Sequence, residues 1–430
     1  MKVARIALVA LPAACGALTL AAIPASAQTA AAAGAPAARA LTLSREERAA
    51  LQALQAAAAG ADRAAQDAAL AAARAAARSA DARFALAYYQ LQIGQARQDL
   101  QMTGQAVDAM VSSGLARPSE LPALVAHQAS RAYFSGEYER ADRLLARVIE
   151  LDPGNADVIA DHAQVKAQLA GALLMAGRRA EAQAGFRQAV SMLQRAIGLR
   201  RAANRPAPES WHHRALAIAV QAGMGPESVA LGRELVAAYP SPLNWRDALL
   251  VYRQATQADP ALGLDIWRLL RAAQALSGER DYVDFAEALS QAGLPGETKA
   301  VLDEGTSRGM LDPAEPRVRQ LVTANNRRVA ADRAGLARAR AQALAAATGA
   351  TARAAADAHF GHGQYGEAAE LYAAALQKGG EDADLVNTRL GAALALAGRR
   401  PEAEAALRAV AGARAGLAAF WLAWLARRPA

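Results

Sequence analysis

Residues 169–186 read LAGALLMAGRRAEAQAGF, and residues 390–407 read LGAALALAGRRPEAEAAL. A phrase that returns this closely after 221 residues marks a unit that is copied and stacked, because one closed core has no use for the same face twice. Apolar residues recur in both copies at helical spacing, and a glycine followed by two arginines interrupts each at the same place. Each copy therefore reads as a helix, a tight turn and a second helix.

In the first copy Leu169, Ala170, Leu173, Gly177, Ala182, Phe186 and Ala189 occupy positions 7, 8, 11, 15, 20, 24 and 27 of such a unit. Leu390, Gly391, Leu394, Gly398, Ala403, Leu407 and Val410 take the same places in the second. This pattern resembles the tetratricopeptide repeat. Gly363, Tyr365, Ala368, Tyr372 and Ala375 supply another unit, and Ala129, Gly136, Ala141, Leu145 and Pro153 one more. Tyr282, Phe285, Ala286, Leu289 and Gly293 supply a further one. Gln128, Val148, Thr298 and Val410 depart from the pattern, and Trp211 and Trp245, 34 residues apart, match it at position 4 with poor agreement afterwards. Small residues at positions 8 and 20 let two antiparallel helices approach closely, Gly at 15 admits a tight turn, and larger side chains at 7, 11 and 24 fill the space between.

The resemblance covers about 330 residues and implies an all-α fold: a right-handed α-solenoid of about nine antiparallel helix pairs, with the first helix of each pair on the concave side. The expected pairs span roughly 82–115, 120–153, 159–200, 208–239, 242–276, 280–308, 312–348, 352–380 and 385–411. The two copies of the opening phrase lie 6.5 periods of 34 apart, so the array is irregular. No segment shows the alternation and β-branched enrichment of a strand. Pro206 and Pro208 mark the expected break between an N-terminal block, 81–204, and a C-terminal block, 205–411.

Outside the repeats, Lys2 and Arg5, an apolar stretch from Ile6 to Pro24, and Ala25-Ser26-Ala27 have the form of a cleavable secretory signal peptide, residues 1–27, which implies a periplasmic protein. Cys15 makes a poor lipoprotein site, because Pro12 sits where a branched apolar residue belongs; an uncleaved anchor is opposed by the Ala-Ser-Ala site. Removal of the leader takes Lys2, Arg5 and the single cysteine, so the net charge falls from +8 to +6 and no disulfide or thiolate chemistry is left. Residues 28–43 read as an Ala/Gly/Pro-rich tether and 44–80 as Ala- and Arg-rich, loosely docked helices. Lys occurs only at 2, 166, 299 and 378, so 44 of 48 basic residues are Arg; in an Ala-crowded, exported chain this points to codon bias rather than to nucleic acid.

No metal, cofactor or catalytic motif stands out. His359, His362 and Asp357 are close enough to begin a metal site, but His362 adjoins the turn glycine Gly363 and His359 falls at a packing position. His212 and His213 are adjacent and point about 100° apart on a helix. Positions 2, 5, 9 and 12 face the groove in the resembled family, which implies a candidate partner-binding groove of His212, Arg246, Arg253, Glu287, Arg353 and Asp357. Arg246 and Arg253 lie two turns apart and suit a carboxylate. In the C-terminal segment, 412–430, Leu417, Trp421 and Leu425 share one face with Phe420 and Trp424 beside it, as in a helix that caps the last repeat or, alternatively, an aromatic anchor for a partner or membrane surface.

These features describe a non-catalytic exported scaffold that binds another envelope protein or a peptide segment. The alternative is an envelope polysaccharide or peptidoglycan factor whose groove binds glycan. A glycan groove requires exposed aromatics, with Trp211, Trp245 or Trp267 as candidates, whereas a peptide groove draws on Arg246 and Arg253.

Overall fold

The glycines at the turn position of the repeat have the conformation that position requires: Gly136, Gly177, Gly293, Gly363 and Gly398 all have φ between 74° and 78°. A Cβ in that region is strained, so glycine ends one helix there and lets the chain reverse. The computed structural model describes residues 41–427; among them are twenty α-helices, one short 3-10 turn and no strand. The architecture is an all-α, tetratricopeptide-like solenoid, and the chain divides between Ala207 and Pro208 into two units, each with its own packing. The leader and residues 28–40 of the tether lie outside the described residues.

The first unit comprises α1 (Arg45–Ala58), α2 (Arg63–Ala76), α3 (Ala80–Arg97), α4 (Leu100–Ser112), α5 (Leu121–Phe134), α6 (Tyr138–Leu151), α7 (Ala156–Met175) and α8 (Arg179–Ala202). The first hairpin corrects the expectation of loose docking. Leu51, Leu54, Leu70 and Ala73 are buried with α3, and the Ser44–Glu47 capping box extends into a tertiary bond, since Glu47 also accepts from the backbone N–H groups of Arg78 and Ser79. Arg97 reaches back to Gln66 and Asp67. Leu41 and Leu43, assigned to the tether, pack against the same core. In the first copy of the repeated phrase, a Cβ at Gly185 would stand 2.9 Å from the Ala170 methyl, so α7 and α8 meet at their small residues.

The second unit comprises α9 (Glu209–Gln221), α10 (Gly225–Ala238), α11 (Pro242–Ala255), α12 (Pro260–Ala272), α13 (Gly278–Gln291), α14 (Pro295–Ser307), α15 (Pro316–Ala345), α16 (Gly349–Gly361), α17 (Tyr365–Lys378), α18 (Ala383–Leu396), α19 (Arg400–Arg408) and α20 (Ala415–Leu425). Eight of the nine expected pairs are present as hairpins, three in the first unit and five in the second. The exception is 312–348, where a single 30-residue helix, α15, replaces a pair. Gly335 is helical in the middle of it, no Pro interrupts, and the Ala/Arg-rich run has high helix propensity, so nothing forces a turn. The C-terminal segment does more than cap the last repeat. Phe420 packs against Trp245 and Tyr252, the Tyr252 hydroxyl donates to the Ala413 carbonyl at 3.2 Å, and Trp424 Nε1 donates to the Ala272 carbonyl at 3.2 Å. Helix α20 thereby clasps α18 and α19 to α10, α11 and α12.

Candidate functional site

The interior of the second unit is charged. Three guanidinium groups converge on Asp265 of α12: Arg268 at 3.0 Å, Arg389 of α18 at 3.0 Å and Arg414 at 2.7 Å. Arg268 continues to Glu297 of α14 at 2.7 Å, and Arg389 to Asp357 of α16 at 2.8 Å. Asp357 also accepts from the Tyr372 hydroxyl at 2.5 Å and from Arg353, which in turn reaches Glu381. Four arginines thus meet four carboxylates. Burial pushes the Asp265 carboxyl up, yet Arg389, Arg268 and Arg414 together bring it below the usual range. Burial and the Asp357 charge push the Tyr372 hydroxyl well above its ordinary value, so it stays a neutral donor.

Against this network lies a cavity of about 510 Å³, within the range typical of ligand sites. Its wall is built from the start of α12 (Asp259, Pro260, Gly263, Leu264), from Trp267, from Ala288, Gln291 and Leu294 around the α13–α14 turn, and from Arg253, Arg353, Asp357 and Arg389. Asp259 accepts from the Leu262 N–H and fixes the first turn of α12. Arg253 lies with its guanidinium 5.0 Å from the Trp267 ring centroid, and Trp267 also stacks on Phe285 at 5.9 Å and 17°. Arg353 and Arg389 are held by carboxylates, whereas Arg253, among the described residues, pairs with none. The cavity therefore carries a positive charge beside an indole. A second cavity, of about 450 Å³, contains Arg268, Arg271 and Arg308, but its cations already face Glu297 and Glu304.

Of the six residues proposed from sequence, Arg253, Arg353 and Asp357 are brought together in the larger cavity. The other three lie elsewhere. Arg246 forms a two-pronged bond with Asp281 at 2.9 and 3.1 Å, so it is structural and not part of a pair with Arg253. Glu287 is taken by Arg317 at 2.7 Å. His212 is 4% exposed and packs edge-on to Tyr239, and so lines no groove. Asp357 is itself 6% exposed and positions the arginines around it. Trp267 and Arg389 are absent from the groove that the repeat positions imply. Trp267 follows Arg253 by fourteen residues on the next helix, and nothing local in the sequence shows that the two stack.

The histidines diverge: His359 Nδ1 meets Gln364 and His362 Nε2 meets Asp332. Among the described residues no three His, Cys, Asp or Glu side chains converge as metal ligands. Trp211, Trp245, Trp267, Trp421 and Trp424 are all buried.

No family model matches the sequence, and no curated protein matches it. Similar solved structures include a tetratricopeptide repeat protein from Parabacteroides merdae, at 9% identity over 73% of this chain and 99% of that one, with a TM-score of 0.22. Others are Naa15/Naa10 bound to HypK-THB (12% identity, 86% of this chain, 63% of that one, TM-score 0.22) and a monomeric mutant of IFIT1 with Gppp-AAAA (13% identity, 73% and 87%, TM-score 0.20). The class of this chain is defined by its own hairpins, with glycine turns and close approaches at small residues: a tetratricopeptide-like helical-repeat protein.

Proposed function

We propose that the protein is an exported, non-catalytic scaffold of the cell envelope that binds a carboxylate-bearing segment of another protein in the cavity of its second unit. The observation that carries this reading is Arg253, a cavity arginine stacked on Trp267 with no carboxylate of its own among the described residues. A guanidinium in that state is pre-positioned to form a two-pronged bond with an incoming carboxylate, and Leu264 and Leu294 offer apolar contact beside it. Burial of Trp211, Trp245 and Trp267 removes the exposed aromatic platform that a glycan groove needs, which favours peptide over polysaccharide.

The test is a cross-linked pull-down from an envelope extract with the unaltered chain, Arg253→Glu and Arg187→Glu. A protein recovered with the first and third but not the second supports the site. Recovery that is indifferent to Arg253, or muropeptide in place of protein, counts against it. Export is tested separately by the N-terminus of the mature protein: Gln28 supports the leader, and a retained Met1 opposes it.

A further inference from the structure

Most of the net charge of the chain sits on one helix. Pro316–Ala345 carries seven arginines and one carboxylate, Asp332, a surplus of six in a chain whose total is +8. Codon bias does not explain this. Elsewhere many arginines have a carboxylate three or four residues away and pair with it, as Arg178 does with Glu181, Arg399 with Glu402 and Arg400 with Glu404. On α15 the two such spacings, Glu315 to Arg319 at the N-cap and Arg328 to Asp332, form no ion pair, since Glu315 accepts from the Val318 N–H instead. Arg317 and Arg340 find Glu287 and Glu370 on other helices, and Asp332 is turned to His362. Arg319, Arg327, Arg328, Arg333 and Arg338 are exposed and have no ion-pair or hydrogen-bond partner among the described residues.

Helix geometry gathers these charges. Buried Val318, Asn325, Leu336 and Ala343 define the inner face, and Arg319, Arg327 and Arg338 fall within roughly 70° of the opposite direction, spread over about 28 Å of helix. Arg328 and Arg333 flank them, one on each side. Between them stand small residues such as Thr323, Asn326, Ala330 and Ala334, so nothing shields the guanidinium groups.

We propose that the outer face of α15 docks on the headgroup layer of an anionic lipid bilayer. A specific protein partner needs a buried aromatic or apolar anchor at the centre of the contact, and apart from Leu344 at its C-terminal end this face offers none. Single-stranded nucleic acid needs stacking rings, and α15 has no aromatic residue. A duplex major groove about 12 Å wide admits a lone helix, whereas α15 is flanked by α14 and α16 and presents a broad side. A plane of lipid phosphates asks only for cations that reach one plane, and each arginine near such a surface contributes independently. The contact is peripheral, since no helix among the described residues is long and apolar enough to cross a membrane.

The test is flotation of the full chain with vesicles of phosphatidylcholine alone and of phosphatidylcholine mixed with phosphatidylglycerol, at low and high salt. Binding is expected only to the phosphatidylglycerol vesicles and is lost in salt. Changing Arg319, Arg327 and Arg338 to Gln together lowers partitioning by on the order of 100-fold, and changing all three to Lys retains it. The same three neutralisations at Arg143, Arg147 and Arg187, which are exposed in the first unit, leave binding unchanged. Circular dichroism of each variant confirms the helical fold. Three results overturn the proposal: no flotation with phosphatidylglycerol at low salt, whether or not duplex DNA is captured; binding that ignores lipid charge or the α15 substitutions, as insertion of the N-terminal apolar stretch would give; and equal loss in both triple variants, which would make the effect one of net charge alone.

Discussion

Glu47 shows how one side chain joins local and tertiary structure. Its carboxylate closes the capping box of α1 and accepts from the N–H groups of Arg78 and Ser79, just before α3, and these backbone bonds, that of Ser79 foremost, hold its pKa down to about 2 from an ordinary 4.5. A carboxyl with a depressed folded-state pKa stabilises the fold above its unfolded value and loses that contribution as pH falls through the folded one. Glu47→Gln should therefore lower the stability of the first unit at neutral pH. The gap to the unaltered protein should close between pH 4.5 and about 2, as read by urea denaturation across that range. In the second unit, Asp265→Ala leaves Arg268, Arg389 and Arg414 buried around an absent charge. The expected loss is about 3–5 kcal/mol in denaturant unfolding, against about 0.5 kcal/mol or less for Arg253→Ala. A small loss at Asp265 would mean that water or neighbouring carboxylates take over its role. Repeat position alone singles out Arg253, Arg353 and Asp357 in the sequence. Asp265 and Arg389 leave no such trace, because their pairing spans 124 residues and no local spacing encodes it.

At the scale of elements, the helix pairs are legible wherever a glycine stands at the turn, because the positive φ there excludes most other residues. The segment 312–348 reads as a pair in the sequence because the period of the repeat and its amphipathic pattern continue through it; with no Pro inside, the helix runs on through its polar stretch and through Gly335. The aromatic C-terminal helix is legible as an apolar face but not as a clasp. Gly416 lies so close to Tyr252 that a Cβ there would stand 2.6 Å from the ring. Gly416→Val should push α20 off α11 and destabilise the second unit by about 1–3 kcal/mol. Exposure of Trp421 and Trp424 would red-shift their fluorescence in the native protein. An unshifted spectrum with unaltered stability would show that the ring of Tyr252 simply moves aside.

At the scale of the whole chain, the second unit is closed on itself by Arg414–Asp265, by Tyr252 to Ala413 and by Trp424 to Ala272, contacts that join its last helices to its early ones. Residues 208–430 expressed alone should therefore melt in one cooperative transition, with removal of 412–430 broadening it and lowering the midpoint. A broad, non-cooperative melt of the complete unit would show that its closure contributes little.

That the chain is helical, that its helices pair through glycine turns and small residues, and where most pairs begin and end all follow from the order of its amino acids. These are consequences of short-range sterics, which a few neighbouring residues specify. Folding in three dimensions settled the rest: which arginines are neutralised and which are left exposed, that Arg253 stacks on Trp267, that the tryptophans are covered, and that the C-terminus returns to the start of its unit. Those outcomes depend on which side chains from distant repeats reach the same point in space, and the repeat pattern, being nearly the same in every copy, does not say which copies will meet.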